Sequence, residues 1–260
     1  MQERLEFFNF LNRQYEKIYV VTIARATERH LVLKQELNGL NFELFFGADF
    51  QNLNFEDLKS SGIFDEEKSK ANHRYSKPLK GGMLGCSLSH RMVYEDILKN
   101  GFKKVLILED DVLIQQFSFA DFKLAISELP PDWDLLYFDY HKNEKRPILG
   151  WVKQFAYHIQ SMLGGLNYTH RAIKNMYAKP FSNHLLNAGL HDFTNAYAIT
   201  LNCAEILLKL QTPVQWFPDQ LVAFASTNKL IKAYCLKEKP FYQTSQTTNP
   251  EQSLLNDNSY

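Results

Sequence analysis

Three consecutive carboxylates, Glu109, Asp110 and Asp111, end an apolar run in the stretch "KKVLILEDDVLIQ". Neighbouring like charges repel each other, and charge beside an apolar core is costly. Alternate side chains of an extended chain share a face, so Glu109 and Asp111 are predicted to lie on one side. Two carboxylates on one face suit Mg²⁺ or Mn²⁺. The alternative is a solvated turn in which an Asp caps the backbone.

A divalent ion at this position would have a definite chemical use. Phosphate oxygens fill its open positions, and the ion stabilises the negative charge that develops when a nucleoside diphosphate leaves a sugar. Such a transfer also needs a base close to the attacking hydroxyl, and a carboxylate can serve.

The elements around the acidic run predict an α/β fold with a central, mostly parallel sheet and helices on both faces. Ligands of such folds bind beyond the carboxyl ends of the strands, where the three acids are expected. Strands are predicted at 17–24, 41–48, 105–108, 133–139, 195–200 and 232–238. Helix caps are predicted at Thr27, at Ser87 or Ser89, at Ser118 with Asp121, and at Asn202 with Glu205.

The chain is predicted to form one domain over residues 1–242, followed by a polar, flexible tail over 243–260. Residues 141–190 show no clear periodicity and are interpreted as a long insert. The formal net charge of +0 argues against nucleic acid as a partner. Three widely spaced cysteines indicate free thiols in a reducing compartment, and Cys86 is interpreted as a small buried residue rather than a nucleophile.

The N-terminal segment carries too many charges for a signal peptide, and no apolar stretch approaches the roughly 20 residues that span a bilayer. These features predict a cytosolic protein. Phe7, Phe8, Phe10 and Leu11 could form an apolar face for peripheral contact with a membrane. The alternative is an extra helix packed on the domain.

Five segments, in order from about residue 17 to 240, resemble glycosyltransferase family 25, which contains bacterial lipooligosaccharide β-galactosyltransferases and collagen hydroxylysine galactosyltransferases. They are "YVVTIARATERHLVL", "GGMLGCSLSHRMVYEDIL", "VLILEDDV", "HDFTNAYAIT" and "PVQWFPDQLV". The resemblance implies a GT-A type fold, a nucleotide-sugar donor, commonly UDP-galactose, a divalent metal, and inversion at the sugar carbon. Phe193 and Ala196 stand where the family has Gly, and Asp192 where a Trp is frequent. The 141–190 insert matches no family segment and is assigned to the acceptor side.

The resemblance also suggests roles for the carboxylates. Asp111 is expected to bind the metal, with Glu109 as a second ligand, and Glu109 and Asp110 could instead hold the donor ribose. Asp219 matches the family's P-V-D acid and is predicted to be the catalytic base or a ligand of a sugar hydroxyl. Its alternative is a helix N-cap after Pro218. Asp192 is a second candidate base.

Further residues are predicted to bind the donor or the acceptor. Donor contacts are predicted for Thr22, Arg25, Arg29 and His90. His191 could contact the acceptor or the leaving phosphate, although a lone His is more often structural. Trp151, Tyr157 and Tyr168 in the insert could stack on acceptor sugars, or could pack the insert on the body of the domain.

The sequence therefore predicts an inverting, metal-dependent hexosyltransferase that moves galactose from UDP-galactose to a hydroxyl of a lipooligosaccharide or other surface glycan. One alternative is a sugar-nucleotide nucleotidyltransferase, but "TIARATER" lacks the expected glycine-rich turn. A second is a non-catalytic carbohydrate-binding protein of the same fold, against which Glu109, Asp111 and Asp219 argue.

Overall fold

The six strands predicted from the sequence all lie in one eight-stranded sheet in the computed structural model, which describes residues 2–243. The helices are α1 (Gln2–Gln14), α2 (Thr27–Glu36), α3 (Phe55–Ser60), α4 (Glu66–Asn72), α5 (Gly81–Asn100), α6 (Phe119–Ser127), α7 (Gly150–Met162), α8 (His170–Lys174), α9 (Leu201–Leu210) and α10 (Pro218–Thr227). The strands are β1 (Lys17–Thr22), β2 (Glu43–Phe46), β3 (Lys104–Glu109), β4 (Val112–Ile114), β5 (Leu135–Tyr137), β6 (Lys179–Pro180), β7 (Leu185–Asn187), β8 (Ala196–Thr200), β9 (Ala233–Leu236) and β10 (Phe241–Gln243).

The sheet has the strand order β2-β1-β3-β8-β5-β9-β7-β6. Six strands run in one direction, whereas β8 and β7 run in the opposite direction and make antiparallel pairs with their neighbours. The predicted α/β class is confirmed, with a sheet that is mostly parallel in strand direction and mixed in pairing. A separate antiparallel pair, β4 with β10, continues the chain beyond the acidic end of β3.

Both faces of the sheet are covered, which explains why its central strands are apolar on both sides. One core cluster includes buried side chains of α1, α2 and α6, and the other includes those of α5, α9 and α10. Side chains from 105 to 108 in β3 are fully buried between these layers. The sheet therefore holds the acids at its end on a rigid support.

Helix α1 packs on the domain, as the second of the two interpretations predicted. Phe7, Phe8 and Leu11 are fully buried, and the Phe7 ring meets Phe122 edge-on at 5.0 Å. The first interpretation, a membrane-facing surface made by these side chains, is wrong because they are buried in the first core cluster, where Phe7 contacts rings of α6 and β10. In residues 2–243, no helix is both long and apolar enough to cross a bilayer.

Two of the predicted helix starts lie elsewhere. Helix α5 begins at Gly81, so Ser87 and Ser89 lie inside it, and the Ser89 hydroxyl donates to Gly85 O at 2.7 Å. Helix α9 is capped by Thr200, which accepts from Cys203 N, while Asn202 donates to Asp134. A flexible glycine does not stop a helix that tertiary packing supports, and a hydroxyl two residues earlier can take the place of a predicted cap.

Of the two other predicted helix caps, one is confirmed and one is wrong. The Ser118 hydroxyl accepts from Asp121 N, which confirms the cap of α6. Helix α2 has Ala26 at its N-cap without a side-chain hydrogen bond, so the predicted cap at Thr27 is wrong.

The segment 141–190 is more regular than the missing periodicity suggested. It contains α7, α8, β6 and β7, and β7 pairs with β9 in the main sheet. Leu185 is fully buried in the first core cluster. Helix α8 and strands β6 and β7 are short, and helix α7 exposes apolar side chains, so the segment lacks the apolar periodicity by which helices and strands are predicted. Of the predicted tail, only Gln243 falls within the described residues.

Candidate active site

The ends of β1 and β3 and the start of β8 meet at one edge of the sheet. Val21 pairs with Glu109, and Leu108 pairs with Ala196. This register places the acidic run beside Thr22, at the carboxyl edge where ligands bind in open α/β sheets.

Asp110 points toward α2, on the first core's side of the sheet. The Thr22 hydroxyl donates to its Oδ2 at 2.6 Å, and the Arg29 guanidinium forms an ion pair with its Oδ1. Thr22 Oγ1 also lies 2.9 Å from His30 Nε2. The negative charge of the buried Asp110 carboxylate is therefore balanced by the Arg29 cation. Asp110 connects Arg29 and Thr22 into one hydrogen-bonded group.

Glu109 points the other way, toward α5. Its Oε1 accepts from the Thr194 hydroxyl at 3.3 Å and lies 3.4 Å from His90 Nε2. The Gln243 amide donates to Asp111 Oδ2 at 2.9 Å. Burial, and then the charge of Glu109, raises the pKa of Asp111 to about 7. The two like charges are thus close enough to destabilise each other, and a cation between them would relieve the repulsion.

His90 is buried on α5, beside the hydrogen-bonded hydroxyl groups of Tyr94 and Tyr197. Its Nδ1 lies 2.8 Å from the hydroxyl of Tyr197, and the two rings stack. Among the described residues, its Nε2 has no hydrogen-bond partner. Ligand atoms of Cys86, His90 and Glu109 lie within 4.8 Å of one another. Burial of the thiol raises the pKa of Cys86, so the thiol is neutral, although the residue as a whole is only partly buried.

This donor set fits a divalent ion. Glu109 would supply an oxygen ligand, and His90 would add a nitrogen that faces Glu109 without another partner in the described chain. Asp111, whose pKa is raised by burial and then by the charge of Glu109, would add a second carboxylate. Such a combination suits Mn²⁺, which accepts both carboxylate and imidazole ligands.

Asp219 lies in the first turn of α10, after Pro218 at the first helical position. The N-cap is Phe217, so the alternative reading of Asp219 as an N-cap is wrong. Its Oδ2 accepts from Phe193 N at 3.4 Å, and its Oδ1 is buried without a hydrogen-bond partner in residues 2–243. Burial, and then the charge of Asp192, raises the pKa of Asp219 to about 7.

Phe193 holds a backbone conformation with φ of 76°. A residue with a Cβ is strained in this left-handed region, which glycine adopts freely. The resemblance to family 25 leads us to expect Gly at this position, and Phe193 adopts the same kind of turn at an energetic cost. The turn has a purpose here, because it aims the Phe193 N–H at Asp219.

A cavity of about 210 Å³ opens in front of Asp219. Its lining brings together several predicted residues, namely Tyr168, His191, Asp192 and Asp219, with the unpredicted Arg74, Lys142, Asn167 and Gln220. Asp192 forms an ion pair with Lys142. Tyr168 thus lies where an acceptor could reach it, and Asp192 is the more solvated of the two candidate bases.

His191 is engaged by the backbone on both sides of its ring. Its Nε2 accepts from Gly189 N at 2.9 Å, and its Nδ1 donates to Lys142 O at 2.8 Å. Burial lowers the pKa of His191 to about 4, so the ring is neutral. This geometry suits a structural role that fixes the loop carrying Asp192.

Trp151 and Arg25 are among the predicted residues that do not line this cavity. Trp151 is on the outer side of α7 and 56% exposed. Arg25 pairs with Asp49 through Nε at 2.8 Å, after β1 and toward the loop that follows β2.

Some residues of the site were not singled out from the sequence. Asn195 accepts from Glu109 N at 2.8 Å through its main-chain oxygen, and its side chain donates to Asp139. Thr194 directly precedes a predicted strand within a matched segment and Asn195 is the first residue of that strand, so their position was an available signal. Arg74, Lys142 and Gln243 come from segments without a pattern, and only the fold brings them here.

Comparison with known proteins identifies the family to which this chain belongs. The family model "Glycosyltransferase family 25 (LPS biosynthesis protein)" matches residues 15–222. The chain belongs to glycosyltransferase family 25. The resemblance inferred from the five sequence segments is thereby confirmed.

Curated relatives of the family 25 chain share only part of their length with it. A "Glycosyltransferase 25 family member" of Anopheles gambiae is 28% identical over 198 residues, which cover 75% of this chain and 28% of that protein. "Procollagen galactosyltransferase 2" of Homo sapiens is 27% identical over 128 residues, or 47% of this chain and 20% of that one. "Inactive glycosyltransferase 25 family member 3" of Mus musculus is 25% identical over 132 residues, 47% and 22% of the two chains. The chain therefore spans about a third or less of these relatives.

Proposed function

We propose that this family 25 protein is an inverting, metal-dependent hexosyltransferase that moves galactose from UDP-galactose to a hydroxyl of a glycan, such as a lipooligosaccharide. The observation that carries the proposal is the Asp219 carboxylate, with one buried oxygen that has no partner in residues 2–243 and a pKa of about 7. It borders a cavity, and Glu109 is near enough for its charge to raise that pKa. The galactosyltransferase names among the relatives and the family description support the donor and the acceptor class.

Asp219 acts as the base in this proposal. A carboxylate whose pKa lies near the working pH is both present as an anion and able to accept a proton. Asp219 Oδ1 takes the proton of the acceptor hydroxyl while that oxygen attacks the anomeric carbon. The bond from this carbon to the diphosphate breaks on the opposite side, so the configuration inverts and the nucleoside diphosphate leaves.

The three acids of the run have different proposed roles, because Asp110 and Glu109 point toward opposite faces of the sheet. Asp110 holds Arg29 and Thr22, and this group would contact the donor. Glu109 and Asp111, with His90 beside them, would hold a divalent ion. When bound, that ion neutralises the diphosphate as it leaves. Arg25 and Arg29 add positive charge on the β1 side of the donor.

The assay is release of UDP from UDP-galactose with Mn²⁺, in the presence of a glycan acceptor. Asp219→Asn should lower kcat by about 10²- to 10⁴-fold, the usual contribution of a positioned base, with donor affinity nearly unchanged. Asp111→Asn or a chelator should abolish release. The matched control is Asp121→Asn, an exposed carboxylate on α6, which should keep full activity.

The outcomes separate the competing functions. Pyrophosphate exchange without UDP release would favour a nucleotidyltransferase. Donor or glycan binding without either reaction would favour a non-catalytic protein, a class that the inactive mouse relative represents by name. Full turnover by Asp219→Asn would contradict the base role.

A further inference from the structure

Helix α7 is amphipathic and is mounted with its apolar side outward. Toward the domain it presents polar groups. The Gln154 amide donates to Ile173 O at 2.8 Å, the Ser161 hydroxyl donates to Tyr168 O at 2.7 Å, and His158 lies 2.7 Å from His170. An ordinary surface helix buries its apolar side instead.

The outward side carries a continuous apolar surface, which we name the α7 face. It consists of Trp151, Val152, Phe155, Ile159 and Met162, with Ile148 and Leu149 before the helix and Leu163 after it. Phe155 is 64% exposed and Met162 72% exposed. At the helical rotation per residue, the five helical side chains fall within an arc of about 100°. Scattered exposed apolar residues are normal, but a contiguous group marks an interaction surface.

The charge around the α7 face identifies the kind of partner. The sequence from 145 to 190 contains no Asp or Glu, although the whole chain has a net charge of +0. Its basic residues are Lys145, Arg146, Lys153, Arg171, Lys174 and Lys179. Such a segment complements an anionic surface.

Most of these basic side chains lie together beside the helix. All of them except Lys153 line a cavity of about 1200 Å³, together with Lys237 and with Gln154 and His158 of α7. The acidic residue in this lining, Glu144, is paired with Lys239 at 2.6 Å. The positive charge of the cavity is therefore not neutralised by that carboxylate.

We propose that the α7 face docks the protein on an anionic lipid bilayer. The apolar side chains enter the boundary between headgroups and acyl chains, as in interfacial amphipathic helices, and the basic cavity accepts headgroup phosphates. The same segment continues into Tyr168 and Thr169, which line the Asp219 cavity. Docking thus brings that cavity toward the membrane surface, where a lipid-linked glycan presents its hydroxyls.

The test is co-sedimentation of the full chain with vesicles of phosphatidylcholine, with and without phosphatidylglycerol. The parent should bind the anionic vesicles and be released at high salt, since charge attraction is screened. Trp151 emission should shift to shorter wavelength on binding, because Trp133 and Trp216 are already buried.

Variants locate the surface. Phe155→Ser with Ile159→Ser should lower vesicle binding at least tenfold, and Lys174→Gln about fivefold, equivalent to about 1 kcal/mol for one basic residue near the surface. The matched control is Leu124→Ser, an exposed apolar residue on α6, which should bind as the parent does. Thermal melting verifies that each variant is folded, and UDP release without vesicles should stay within about twofold.

The proposal is overturned if the parent ignores anionic vesicles, or if the double variant binds them as well as the parent. It is also overturned if sedimentation equilibrium finds a dimer that the double variant dissociates while vesicles bind neither form. Vesicle binding requires no donor, so this result is independent of the transferase assay.

Discussion

Asp219→Asn should make the protein more stable while it removes catalysis. The folded chain raises the pKa of this carboxyl from an ordinary 3.8 to about 7. A carboxyl with a raised pKa favours folding in its neutral form, so its contribution is fully present below pH about 4. That contribution is lost as the pH rises toward 7, where the folded protein must hold the charge.

The magnitude follows from the shift. About three pKa units correspond to roughly 4 kcal/mol of unfolding free energy at pH 8, and partial exposure of the side chain reduces this to about 2–4 kcal/mol. An amide cannot ionise and can still accept from Phe193 N. For a chain of this size, the melting temperature of the Asn variant should rise by about 5–10 °C at pH 8.

The assay is thermal unfolding of both proteins from pH 4 to 8, without metal or nucleotide. The difference between them should be small at pH 4 and grow until pH 8. Asp121→Asn, at an exposed position, should follow the parent within about 0.5 kcal/mol at every pH. Parallel profiles for the parent and Asp219→Asn would refute the assignment of a costly buried charge. A loss of stability at pH 8 would do the same.

Three other substitutions test the supports of the site. Arg29→Met should cost about 2–4 kcal/mol of unfolding free energy because it leaves the Asp110 carboxylate buried without its cation, and adding Asp110→Asn should recover much of that loss; a cost below about 0.5 kcal/mol in denaturant unfolding would contradict the pairing. Phe7→Ala should cost about 3–5 kcal/mol, whereas Leu5→Ala, half-exposed on the same helix, should cost under about 1; similar values would mean that α1 does not pack on the core. Phe193→Gly should be more stable than Phe193→Ala by about 1 kcal/mol, since only Gly relieves the positive φ, and the reverse order in thermal melting would argue against strain.

The sequence alone identified the acidic run and its alternation. Apolar residues from 105 to 108 require burial on both faces, and the next residues cannot be buried without compensation, so the end of a central strand was predictable. The family segments added Asp219 and the order of the blocks, since short motifs keep their spacing along the chain. Local rules also predicted the cap of α6.

Tertiary structure decided what those residues do to each other. The pKa of Asp219 depends on burial and on the charge of Asp192. The neutral state of His191 depends on its burial in the folded chain. The cation that pairs with Asp110 comes from a helix residue 81 positions away in the chain. The outward apolar side of α7 was equally hidden, because periodicity gives the direction of a helix stripe but not which side the domain covers. Burial and charge are sums over neighbours from many segments, and those sums exist only once the chain has folded.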